Sequence, residues 1–103
     1  MTAAIRDNPA RHRFEMALDG GTAFAAYRRD GGVLTIVHTE VPAAINGRGH
    51  GSALVKGVLD IARAQGLKVV PVCPFVKAYI DRHPEYADLL KLQAPPNAIF
   101  TLR

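Results

Sequence analysis

The chain contains no tryptophan and a single cysteine, Cys73. That excludes an intrachain disulfide and a Cys-rich zinc site, and it makes a reducing compartment, the cytoplasm, the default expectation. Long apolar runs are missing too. The longest uncharged, mostly apolar stretch is VVPVCPFV, Val69 to Val76, far below the ~18 residues a membrane span requires. The opening segment MTAAIRDNPARHR lacks the apolar core of a signal peptide. The four histidines form no i, i+4 pair and have no cysteine partner, so no metal signature is present. Thirteen Lys and Arg against nine Asp and Glu give a net charge of +4. Such a balance favours anionic partners: nucleic acid, acidic lipid or a phosphate-bearing cofactor. Yet the basic residues are scattered, without the dense block of a nucleic-acid-binding tail. With 49% hydrophobic and 21% charged residues over 103 positions, the chain is neither disordered, collagen-like nor a coiled coil. One soluble globular domain is expected.

The first eleven residues are polar and carry Pro9, so residues 1–11 read as a frayed lead-in. From His12 to Leu18 apolar Phe14, Met16 and Leu18 alternate with Arg13 and Glu15, the pattern of a half-buried strand. Asp19-Gly20-Gly21 is turn chemistry. A second strand, Thr22 to Arg29, and a second Gly turn follow. The third strand, Val33 to Val41, is rich in β-branched residues and reads as central. Pro42 ends it. From Ser52 to Gln65, Leu54, Val55, Val58, Leu59, Ile61 and Ala62 form one helical stripe, with Lys56, Asp60 and Arg63 opposite. Gly57 weakens this helix by about 1 kcal/mol relative to Ala, so close packing against the sheet is expected there. LKVVPVC is a buried strand, parallel to an earlier one because a helix intervenes. Pro74 opens a second helix, PFVKAYIDRH, which Pro84 ends, and PEYADLL adds another turn or two. The order β-β-β-α-β-α gives a single α+β domain over residues 12–93, a β-meander followed by α-β-α with helices packed on a mixed sheet. Residues 94–103 form a tail in which Ala98 to Leu102 reads as an edge strand or as disorder.

The segment richest in chemistry is Asn46-Gly47-Arg48-Gly49-His50-Gly51-Ser52, between a strand and a helix. Its glycines let the backbone curl and leave N–H groups uncovered beside a helix N-terminus, a combination that suits phosphate. Arg48 can add a charged contact. The spacing fits neither a P-loop, which needs Gly-Lys, nor a dinucleotide fold, which needs GxGxxG and an acid on the next strand.

Four blocks in order, HTEVP, NGRGHGSALV, PVCPFV and AYIDRHPEYADLL, resemble the minimal-length branch of the GNAT N-acetyltransferases over His38 to Leu90. The resemblance implies a GNAT-like sandwich that binds acetyl-CoA. Backbone N–H groups from Gly47 to Ser52, through Arg48, Gly49, His50 and Gly51, would cradle the pyrophosphate. The strand Val37 to Val41 would pair with the pantetheine arm where it parts from LKVVPVC. Asn46 departs from the Gln or Arg of the larger family. Tyr79 matches the position of the family's general acid toward the thiolate.

Acetyl transfer to an amine needs a route for the amine's proton. His38 and Glu40 lie two apart on one strand and so share a face; either can take that proton, directly or through water. Cys73, at the end of the last strand, is a candidate transient acyl acceptor with His38 as base, direct attack being the first choice. The expected activity is transfer of an acetyl group from acetyl-CoA to a primary amine of a protein or small molecule. The competing readings are an acyl-CoA-binding module without turnover and a small nucleic-acid binder using Arg28, Arg29 and Arg48 with Tyr27.

Overall fold

The computed structural model describes residues 4–45 and 47–91. Four antiparallel strands come first: β1 (Ile5–Asn8), β2 (Arg13–Leu18), β3 (Gly21–Asp30) and β4 (Val33–Glu40). Helix α1 (His50–Ala64) crosses to β5 (Lys68–Pro71), and helix α2 (Pro74–Arg82) leads into a 3-10 segment at Pro84–Leu89. The strands stand in sequence order, with β5 parallel to β4. The expected mixed sheet, meander and crossover are therefore present.

One strand exceeds the expectation. Residues 1–11 are not a frayed lead-in throughout: Ile5 to Asn8 pair with Met16 to Arg13 of β2, and Pro9–Arg11 make a 3-10 turn. Only the first and last residues of β1 are half-buried, so no apolar alternation marks it. It is held by its backbone ladder, by Tyr27 Oη donating to Asp7 Oδ1 at 2.5 Å and by Ile5 lying against α1. The turn or two of helix expected from PEYADLL is present at Pro84–Leu89, as a 3-10 helix. The expected tail 94–103 and residues 92–93 of the expected domain lie outside the described residues.

All the helix-covered side chains come from one face of the sheet. Phe14, Met16, Ala23, Ala25, Leu34, Ile36 and Val69 meet Leu54, Val55, Val58, Leu59 and Ala62 of α1 in a single core. Gly57 shows why the helix tolerates a glycine: a Cβ there would stand 2.0 Å from Ile5 Cδ1. The helix's outer stripe is tied down by Lys56–Asp60 at 2.9 Å and by Arg63, which grips Asp88 and the Glu85 carbonyl. Beneath it Tyr86 Oη donates to Asp60 Oδ1 at 2.6 Å.

Among the described residues no helix covers the opposite face of β2–β4, and a bulge decides what it presents. Along β3 and β4 the ladder runs Tyr27↔Ile36 and then Ala26↔His38, so Val37 is an extra residue. Leu34 and Ile36 point into the core. Without the bulge His38 and Glu40 would follow them there; with it they turn to the open face beside Phe24.

Candidate cofactor and catalytic site

The strands β4 and β5 pair only from Val33↔Lys68 to Ile36↔Pro71. The last tie is Cys73 N–H to the Ile36 carbonyl, 2.9 Å. Beyond it Pro74 starts α2 and carries the chain away, so among the described residues no strand pairs with Val37 to Glu40 on that side. The opening is a cleft of about 480 Å³. Its walls are Thr39, Glu40 and Val41 from the end of β4, the glycine turn with the first residues of α1, and Phe75 of α2.

Helix α1 begins earlier than its hydrophobic stripe suggests. Gly49 is the N-cap and His50, Gly51 and Ser52 form the first turn, so His50 and Gly51 are helical rather than loop and the helix starts two residues before Ser52. The first helical hydrogen bond runs from Ala53 N–H to the Gly49 carbonyl, 3.1 Å. The N–H groups of residues 50–52 therefore precede the ladder and meet the cleft at the positive end of the helix. Among the described residues no side chain caps this end. Gly47 and Gly49 hold φ of 85° and 80°, a left-handed conformation that glycine adopts without steric cost. Gly51 is needed for room instead: a Cβ there would come 3.1 Å from the Phe75 ring. Arg48 is exposed in the turn but does not line the cleft. Asn46 lies outside the described residues.

Of the expected catalytic residues, Glu40 lines the cleft. His38 stands just outside it with Nε2 3.2 Å from Glu40 Oε1, and both side chains are more than half exposed. Cys73 is buried behind the wall, its Sγ 3.5 Å from Thr39 Oγ1. Burial raises the Cys73 thiol, but the Thr39 hydroxyl and the backbone N–H groups of Val76, Phe75 and Thr39 outweigh it, and the thiol sits below its ordinary value. The start of α2 is thus a place that favours a sulfur anion. Tyr79 is not brought to the cleft. It is buried one turn beyond Phe75, stacked on His83 at 4.1 Å and tilted against Tyr86. Burial, only partly opposed by Lys56, raises its hydroxyl above the ordinary tyrosine value, which makes it a weaker acid. Two wall side chains, those of Thr39 and Phe75, were not singled out in the sequence, although Thr39 lies in the Val37 to Val41 strand expected to pair with the pantetheine arm through its backbone. Thr39 reads as an ordinary strand threonine and Phe75 as a helix-start apolar residue.

The sequence model of the GCN5-related N-acetyltransferases matches residues 13–89. The chain belongs to the GCN5-related N-acetyltransferase family. Among family relatives, Protein NATD1 of Mus musculus is 33% identical over 92 residues, covering 86% of this chain and 84% of that protein. Protein NATD1 of Homo sapiens is 33% identical over the same length, covering 81% of its own chain. A GCN5-like protein from Staphylococcus aureus, solved by NMR in solution, superposes with a TM-score of 0.66 at 28% identity, over 89% of this chain and 92% of that one. Membership fits the gap between β4 and β5 and the bare start of α1. No helix among the described residues is long and apolar enough to cross a membrane.

Proposed function

We propose that the chain is an acetyl-CoA-dependent N-acetyltransferase that acts on a primary amine. The observation that carries the reading is the cleft itself, where a helix N-terminus with uncovered N–H groups meets the unpaired end of a sheet strand. The residues present fit the cofactor. The first-turn N–H groups of residues 50–52 and the glycine backbone suit a pyrophosphate, while Val41 and Phe75 supply an apolar wall for the arm beyond it. Acetyl-CoA would supply a thioester: the amine nitrogen bonds to its carbonyl carbon, the carbon–sulfur bond breaks with the electron pair on sulfur, and the amine's proton balances the one the thiolate takes up.

Glu40, on the cleft wall, takes the proton from the attacking amine, directly or through water. His38 Nε2, 3.2 Å away and open to solvent, passes it on. The Thr39 hydroxyl and the start of α2 favour negative charge on sulfur, and Tyr79, buried away from the cleft, has no part in this scheme. Direct attack is preferred over an acyl-Cys73 route, because Cys73 is 5% exposed.

Calorimetric titration of acetyl-CoA into the protein and into Gly49→Trp tests the cofactor. Micromolar binding that the variant loses supports the reading; absence of binding at millimolar acetyl-CoA refutes it. A Glu40→Gln variant that binds acetyl-CoA normally and acetylates amines 100-fold more slowly or worse would match proton transfer at this carboxylate, within the ~10²–10⁴ range of general bases. The placement of Tyr79 favours one second reading, a binding module without turnover. Tight acetyl-CoA binding with no acetylation across a broad amine screen would decide for it.

A further inference from the structure

A second concavity, about 550 Å³, lies on β3 away from the acetyl-CoA cleft. It arises because β2 and β3 are staggered. The ladder between them begins at Arg13↔Ala26, so Tyr27 to Asp30 run on with no β2 strand beside them. The turn before β2 fills part of that space, anchored by Tyr27 N–H donating to the His12 carbonyl at 2.8 Å.

What gathers there is positive charge. Arg11, Arg28 and Arg29 line the concavity with His12, against one carboxylate, Asp30. Arg29 donates to Gln65 Oε1 at 3.3 Å. Arg11 and Arg28 have no hydrogen bond or close ion pair among the described residues. By contrast Arg13, one strand position away, is committed to Glu15 at 2.6 Å. Arg29 is turned to the helix side by its bond to Gln65, so the charge the hollow offers a guest comes from Arg28 and from Arg11, the latter partly offset by the Glu15 carboxylate, and an anionic guest neutralises it.

The hollow and the catalytic pair share the open sheet face. Phe24, Ala26 and Arg28 alternate with the buried Ala23, Ala25 and Tyr27, and Glu40 and His38 stand opposite Phe24 and Ala26. At ~3.3 Å per residue, Arg28 lies about 13 Å along the strand from the Glu40 position and about 7 Å from that of His38. We propose that this concavity is an anion subsite for the acceptor, so that the preferred amine belongs to an acidic peptide. Its free α-amine meets Glu40, and a carboxylate three or four residues on meets Arg11 and Arg28. The identity of the guest as acceptor rests on the acetyltransferase reading. The positive charge is confined to one hollow instead of forming a stripe, which fits a carboxylate better than a phosphate backbone.

The test is an NMR titration of the full chain with two peptides bearing free N-termini, one with glutamates at positions four and five and one with lysines there. The glutamate peptide is expected to shift the backbone amides of Arg28 and Val37 and to bind roughly tenfold more tightly, what two ion pairs near the middle of the exposed range give together. The Arg11→Gln/Arg28→Gln variant should lose that preference, and in turnover assays its KM for the glutamate peptide should rise by a similar factor with kcat held. Equal affinity for the two peptides, or a preference that survives in the variant, overturns the proposal. So does binding of a short DNA duplex at these amides, with steep salt dependence, when the acidic peptide shifts nothing. Acetyl-CoA affinity, measured alongside, reads the other proposal separately: neither arginine lines the first cleft, so failure there refutes the acetyltransferase reading and leaves the peptide preference to be judged by the shifts.

Discussion

Gly57 offers a quantitative check on the packing of β1 against α1. In an unobstructed helix interior, Gly→Ala stabilises by about 1 kcal/mol. Here the added methyl would stand 2.0 Å from Ile5 Cδ1 and 3.3 Å from Ile5 Cγ1, where apolar carbons prefer ~3.5–4.0 Å. Ile5 must therefore move. It is half-buried, so displacing it forfeits about half the burial of an isoleucine, on the order of 1 kcal/mol. The helix gain is cancelled, and Gly57→Ala alone should change stability by less than ~0.5 kcal/mol. In an Ile5→Ala background the obstruction is gone, and the same substitution should stabilise by the full ~1 kcal/mol. Urea unfolding followed by circular dichroism on the four proteins gives the cycle, with a coupling of about 1 kcal/mol expected. If Gly57→Ala stabilised the otherwise unaltered chain by as much as it stabilises the Ile5→Ala protein, β1 would not pack on α1 as described.

Further outcomes follow from the polar contacts and the cleft. Burial, with help from the Asp7 hydrogen bond, pushes the Tyr27 hydroxyl up to about 12. The fold therefore prefers the neutral phenol: its contribution is intact below pH ~10 and falls between pH ~10 and ~12 by about 1.4 kcal/mol per unit. Urea midpoints across that window should show the decline, and Tyr27→Phe should flatten it; an equal slope in the variant would contradict the assignment. Cys73→Ala should keep most acetylation activity if attack is direct, whereas loss of turnover together with a trapped acyl-protein by mass spectrometry would establish the thiol route. Gly51→Leu, which drives a side chain into the Phe75 ring, should weaken acetyl-CoA binding more than it lowers thermal stability, and calorimetry beside a melting curve reads both.

The sequence revealed what depended on repetition. The alternation of Phe14, Met16 and Leu18, the stripe of α1 and the punctuation by Gly and Pro each recur over several residues, so the elements they mark were expected and are there. Features that turn on one residue were not visible. The strand β1 is one isoleucine followed by three polar residues, its stability comes from backbone pairing and a partner fifty positions away, and no local pattern encodes that. The bulge at Val37 leaves the composition of β4 unchanged, since an apolar residue there suits either register. His38 and Glu40 were correctly placed on one face; which face was decided by the bulge. Tyr79 illustrates the reverse case, where a family position is matched but helix geometry rotates the ring into the core with Val76 and Ile80. The glycine turn was legible because its residue types are hard to explain otherwise, whereas Thr39 and Phe75 belong to types that are common everywhere.

The parting of β4 from β5 also bears on how the protein behaves without ligand. A sheet normally hides its unpaired backbone at its outer margins, where charge or proline keeps neighbours away. Here part of that margin is interior, at Val37 to Glu40, flanked by the exposed apolar side chains of Val72 and Phe75. An extended chain entering the gap would complete the sheet and withdraw these groups from water. The ligand-free protein is thus the state most open to pairing with a strand from a second copy. Its shelf life and its tendency to associate should both improve when the gap is filled, by mass action alone and without any change in fold.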